Sequence, residues 1–146
     1  MAQITLYNNG LLRHVNGTYN WASNDITAVL LTDSYTPNAA HNTFADISSS
    51  EVTDEDYSRQ ALASKTISLV GAEVFADSAQ VSFGAEVSIS AKYVAFVAGT
   101  PEGISSASTL LGYADLNSGG GELSSTNSIF RLTPDPDGWY KFSPAA

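Results

Sequence analysis

Asp25-Ile26-Thr27-Ala28-Val29-Leu30-Leu31-Thr32-Asp33-Ser34-Tyr35-Thr36-Pro37 decides how this chain is read. Residues 26–31 are apolar apart from Thr27, a pattern that suits a strand covered on both faces. The run stops abruptly at Thr32-Asp33-Ser34, as a buried strand does when it leaves the core for an ordered surface loop. That loop is long. Residues 34–58 form the largest irregular stretch, with eight Ser or Thr and the acidic run Asp54-Glu55-Asp56. Connections of this length are uncommon without a role of their own. Phe44, Ile47 and Val52 punctuate it and are expected to anchor it to the body.

On the N-terminal side, Ile4-Thr5-Leu6-Tyr7 alternates like a first strand. Asn8-Asn9 is positioned to cap a short helix over residues 8–16, with Leu11, Leu12 and Val15 as its apolar side and Asn16-Gly17 as its stop. Beyond residue 60 the pattern has period 2 almost throughout. Thr66-Ile67-Ser68-Leu69 alternates before a turn at Gly71, and Val74-Phe75 leads to a turn at Asp77-Ser78. Val81-Ser82-Phe83 and Val87-Ser88-Ile89 alternate again. Tyr93-Val94-Ala95-Phe96-Val97 reads as a central strand and Leu110 to Leu116 as another. Ile129-Phe130-Arg131-Leu132 and Trp139-Tyr140-Lys141-Phe142 flank a turn at Pro134-Asp135-Pro136-Asp137-Gly138.

Eight or nine short strands with one short helix predict an all-β, single-domain antiparallel β-sandwich, jelly-roll-like or barrel-like, spanning residues 1–146. Leu30, Val94, Phe96, Leu111 and Tyr113 are its expected core residues.

Composition narrows the function. There are no cysteines, so disulfides and thiolate metal sites are excluded. Fifteen acidic residues against six basic ones give a net charge of −9. The six cations are scattered singly, so no basic stripe faces phosphates, and nucleic acid is not an expected partner. An acidic surface favours solubility and a basic protein partner. No apolar run approaches the roughly 18–20 residues that span a bilayer, so no membrane association is expected. Met1-Ala2-Gln3-Ile4 lacks the start of a signal peptide. The expectation is a protein made in a cytoplasm and kept there or built into something larger, with both chain ends tied down by that assembly.

No catalytic motif emerges. His14 and His41 are the only side chains whose ordinary pKa suits neutral-pH acid–base work. No Gly-x-Ser-x-Gly elbow accompanies them, and both are read as surface or packing residues. Asp54-Glu55-Asp56 is read as a solvated acidic face. The stretch from Thr133 to Ala146 fails the calcium-loop pattern, with Thr133 in place of the first Asp and Pro144 in place of the bidentate Glu. Trp21, Tyr35, Phe44 and Tyr57 lie near loops. They either form a sugar- or protein-binding surface or cap the ends of the core, and the second reading is preferred. No catalytic residue, cofactor or metal ligand is assigned.

Several patches, in order along the chain, resemble a family of small structural proteins of tailed bacteriophages. They are Leu6-Tyr7-Asn8, Asp25 to Pro37, His41 with Phe44 to Ile47, and Glu51-Val52 ahead of Tyr57. Ala91 to Phe96, Leu110 to Leu116 and Gly138 to Phe142 follow. The resemblance implies a non-enzymatic virion component, variously a head decoration, cement or tail-fibre-like protein. The leading expectation is a capsid decoration or cement protein on the capsid surface, made in the host cytoplasm. It would bind the major capsid protein and copies of itself through Tyr35, His41, Phe44, Asp46 and Ile47. The alternatives are a tail or tail-fibre-associated protein that contacts a receptor and, from another class, a carbohydrate-binding module.

Overall fold

The computed structural model describes residues 3–143, and they fold as an all-β protein with one short helix. Its centre is a five-stranded antiparallel sheet in the order β1-β9-β8-β2-β3. The strands are β1 (Thr5–Leu6), β2 (Ile26–Leu31), β3 (Gln60–Ala61), β8 (Tyr93–Ala98) and β9 (Leu110–Asp115). All six residues of β2 are buried, as the apolar run requires. Alternate side chains enter two separate cores. Ile26, Ala28 and Leu30 join Val94 and Phe96 on the front face, while Val29 and Leu31 join Ala95 and Val97 on the back. Thr27, fully buried, donates its hydroxyl proton to the Gly99 carbonyl at 2.7 Å. A bulge between Phe96 and Val97 leaves Leu111 without a partner on β8. It sends Leu111 into the front core while Leu110 stays in the back one.

The front layer is not one continuous sheet. Three small antiparallel units tile it. β4 (Thr66–Val70), β5 (Glu73–Asp77) and β12 (Tyr140–Phe142) form a three-stranded sheet in the order β12-β5-β4. β6 (Val81–Ser82) pairs with β11 (Arg131–Leu132), and β7 (Ser90–Ala91) pairs with β10 (Leu123–Ser124). Trp139 locks this layer to the central sheet, with its ring edge-on to Phe96 at 4.8 Å. Its indole N–H is satisfied by the Ser78 hydroxyl at 2.7 Å. The turn before it forms as expected. Gly138 adopts φ +82°, and a Cβ there would strike the Ala76 carbonyl, which accepts from Trp139 N–H.

Several expectations need correction. The described residues form twelve strands where eight or nine were expected, because the ribbons and β3 are only two residues long. β5 runs through Asp77, so no turn falls at that residue, and Val87-Ser88-Ile89 contributes one isolated bridge instead of a strand. Tyr113 is only partly buried, whereas Leu30, Val94, Phe96 and Leu111 are fully so. The chain ends expected to be tied down include Met1-Ala2 and Pro144 to Ala146, which lie outside the described residues.

The helix differs most. α1 (Asn8–Val15) is capped by Tyr7, whose side chain makes no capping bond, so Asn8 and Asn9 lie within the helix. Leu11, Leu12 and Val15 are exposed, and the buried helical residue is Gly10, pressed against the backbone of Leu111 on β9. In a free helix Gly→Ala gains about 1 kcal/mol. Here the methyl group meets main-chain atoms that have nowhere to go. We expect Gly10→Ala to destabilise the protein by about 1–3 kcal/mol, the usual overpacking cost. Urea unfolding reads this directly, and a stabilised variant would refute the close packing of α1 on β9.

Candidate functional site

The loop at 34–58 is the back wall of the protein. Tyr35, Phe44 and Ile47 are buried and form the second core with Val29, Leu31, Ala95, Val97 and Leu110. Val52 enters the front core. All three expected anchors are therefore buried. The loop is shaped by two short 3-10 turns, Phe44–Asp46 and Ser48–Ser50. Thr43 and Asp46 cap the first reciprocally. The Asp46 carboxylate accepts from the N–H groups of Asn42 at 2.8 Å and Thr43 at 3.1 Å, which holds its pKa below the usual carboxylate range.

Burying Tyr7 and Tyr35 in this core requires partners for their hydroxyls. The two are 2.8 Å apart, and the Tyr35 hydroxyl lies 2.9 Å from Nδ1 of half-buried His41. Desolvation raises both tyrosine pKa values, so the chain carries neutral phenols at neutral pH. Its hydrogen bonds run inward from the loop to β1 and α1, and their evident work is to hold the loop down. Of the five residues expected to meet a partner, Tyr35, Phe44 and Ile47 are thus interior. His41 is half-buried and Asp46 exposed.

The neck of the loop is clamped. Arg59 grips Glu51 through two N–H···O contacts of 2.8 and 3.0 Å, and the Tyr57 hydroxyl donates to the same carboxylate at 2.9 Å. The guanidinium also lies 4.9 Å from the centre of the Phe44 ring. The acidic run is more engaged than a solvated face. Asp54 accepts from Ser90 N–H and Asp56 from Ser88 N–H, joining the loop to the front layer.

The open surface lies elsewhere. A groove of about 320 Å³ runs between the end of α1 and the β12-β5-β4 sheet, bordered by His14, Tyr19, Ile67, Val74, Tyr140 and Phe142. Ile67, Leu69 and Val70 project from β4 at 47%, 73% and 54% exposure, so the edge of that sheet is apolar and uncovered. Thr66 to Leu69 reads as a strand from sequence, but alternation is the same for a half-buried strand and a protruding one. Of the four aromatics near loops, Trp21, Tyr35 and Phe44 are 2%, 4% and 6% exposed, and half-buried Tyr57 stacks on Phe83 and donates to Glu51. Among the described residues no three His, Asp or Glu side chains converge on one point.

His14 closes one end of the groove. Its Nε2 accepts from the Tyr140 hydroxyl at 2.6 Å, while Nδ1 faces the Tyr19 carbonyl at 3.5 Å. Burial lowers its pKa from the ordinary 6.5. As pH falls, the unfolded chain takes up this proton first. The stability tied to neutral His14 is therefore full above about pH 7 and lost as pH falls through the folded-state pKa. Urea midpoints should drop between about pH 7.5 and 5, the range in which histidine titrates. His14→Gln, which keeps an acceptor for Tyr140, should flatten that drop. A second variant probes the back wall. Tyr35→Phe strands the Tyr7 hydroxyl and should cost about 1–3 kcal/mol. It should also speed hydrogen exchange at residues 42–50, and unchanged exchange there would show that the tyrosine chain does not hold the loop.

No protein-family model, no curated protein and no solved structure matches the chain.

Proposed function

We propose that this chain is a non-enzymatic virion protein: a capsid decoration or cement protein that adheres to a preassembled shell of major capsid protein and stabilises it. The resemblance of an ordered set of patches, spread from Leu6 to Phe142, to small phage structural proteins carries this reading. The geometry is compatible with adhesion. A rigid acidic body presents an uncovered apolar sheet edge and a clamped loop, and modest contacts of this kind suffice when repeated over a lattice. With Tyr35, Phe44 and Ile47 inside, the loop would meet the shell through its outward residues: His41 and Asp46 with Asn38, Ala45 and Ser49 around them. The carbohydrate-binding reading is less favoured, since Trp21, Tyr35 and Phe44 are core residues and half-buried Tyr57 packs against the core.

The test mixes purified protein with heads that lack it and measures both binding and the temperature of DNA release. Binding with a raised release temperature is expected. Failure to bind, or binding without a thermal shift, would refute cementing, and selective binding to tails would favour the tail reading. Ala45→Arg with Ser49→Arg alters exposed positions only and should weaken head binding without changing the β spectrum. Unchanged affinity would place the contact on another face.

A further inference from the structure

We propose that the free edge of β4 pairs antiparallel with β4 of a second copy of this chain, centred on Ser68. The pairing does not depend on the capsid reading. Register fixes which groups are free. Val70 pairs with Glu73 across the two-residue turn at Gly71-Ala72, so Thr66, Ser68 and Val70 direct their backbone groups to β5. Ile67 and Leu69 direct theirs to the open edge. In an antiparallel pair centred on Ser68, Ile67 of one copy lies opposite Leu69 of the other. Both free residues of each strand are then satisfied at once. A shift of two residues in either direction leaves one of them opposite the turn or the strand end.

The side chains follow the same two-fold pattern. Ile67, Ala76 and Tyr140 form one row across the three-stranded sheet, and Leu69, Val74 and Phe142 form the next. Pairing joins the Leu69 row of one copy to the Ile67 row of the other, giving a continuous apolar face over six strands. It would cover side chains now 47% and 73% exposed. Charge selects a like partner. Edge strands are normally guarded by a charge, a proline or a bulge, but residues 66–72 hold none, and the nearest charges are Lys65 and Glu73. A charged partner strand would find nothing to pair with. Area sets the strength. Five residues of strand, about 17 Å long, bury less than the roughly 800 Å² per partner of a standard interface. The dimer is therefore weak in dilute solution and reinforced wherever copies are held side by side.

Cross-linking tests the register, and the cysteine-free chain supplies a clean background. Opposed Ser68 residues form a non-hydrogen-bonded pair with Cα atoms about 4.5 Å apart, within disulfide range. Oxidised Ser68→Cys should shift from monomer to a disulfide-linked dimer. Thr66→Cys and Val70→Cys should each stay monomeric alone but cross-link to one another when mixed. Sedimentation of the unmodified protein should show a dimer growing between about 10 µM and 1 mM, the range of a weak complex. Added salt should strengthen it by screening two copies of charge −9. Leu69→Lys, at an exposed site, should abolish it while the circular dichroism stays unchanged. A monomer throughout, weakening by salt, or equal cross-linking at positions 66, 68 and 70 would each overturn the proposal.

Discussion

The two-sided burial of β2 governs the rest of the molecule. Each buried Ile, Leu or Val contributes about 1.5–3 kcal/mol, but a sheet gains this on both faces only if both are covered. Helices cover a doubly buried strand in α/β proteins. Here the one α-helix among the described residues is eight residues long, and it packs through Gly10 on β9 and through His14 on Tyr140. The chain solves the problem unequally. Small β units and two tryptophans pack the front, and an irregular loop packs the back. Loops carry backbone groups that must be satisfied if they are to lie against a core. Hence the reciprocal cap at Thr43 and Asp46, the 3-10 turns, and the tyrosine–histidine chain.

That division of labour separates structure from surface within one segment. Residues 34–58 send Tyr35, Phe44, Ile47 and Val52 inward while their neighbours face solvent, so the loop resembles a folded element with an inner and an outer side. The Glu51–Arg59 pair, part-buried and bidentate, closes its neck. Exposed large apolar side chains lie elsewhere: Leu11, Leu12 and Val15 on α1, and Ile67, Leu69 and Val70 on β4 with Phe142 on the same sheet.

Much of this was legible from residue order alone. The buried character of β2, the central position of β8, the turn at Gly138 and the loop anchors all follow from hydrophobic pattern and turn chemistry, which are local. What was missed is non-local. Nothing near Gly10 says that Leu111 will press on it, so Leu11, Leu12 and Val15 looked like the packing face. Two-residue strands such as β3 and β7 carry no periodic signal and exist only because a partner lies beside them. Phe44 and Ile47 drew two expectations at once, anchor and contact, and both residues spend their apolar surface on the first. Ile67 and Leu69 illustrate the converse. Their alternation predicts a strand, but whether a strand's apolar face meets a core depends on how far the layer above it reaches.

The pairing of β2 with β8 has a consequence for how the chain is made. Ile26 to Leu31 are hydrogen-bonded to Tyr93 to Ala98, and β1 waits still longer for Gly112 and Tyr113. At about 5–20 residues per second of synthesis, the most apolar strand waits several seconds for β8, with only the two-residue β3 made sooner to pair with it. Non-local pairing of this kind also slows the search for the native state. The short polar stop at Thr32-Asp33-Ser34 is all that interrupts the exposed run while it waits.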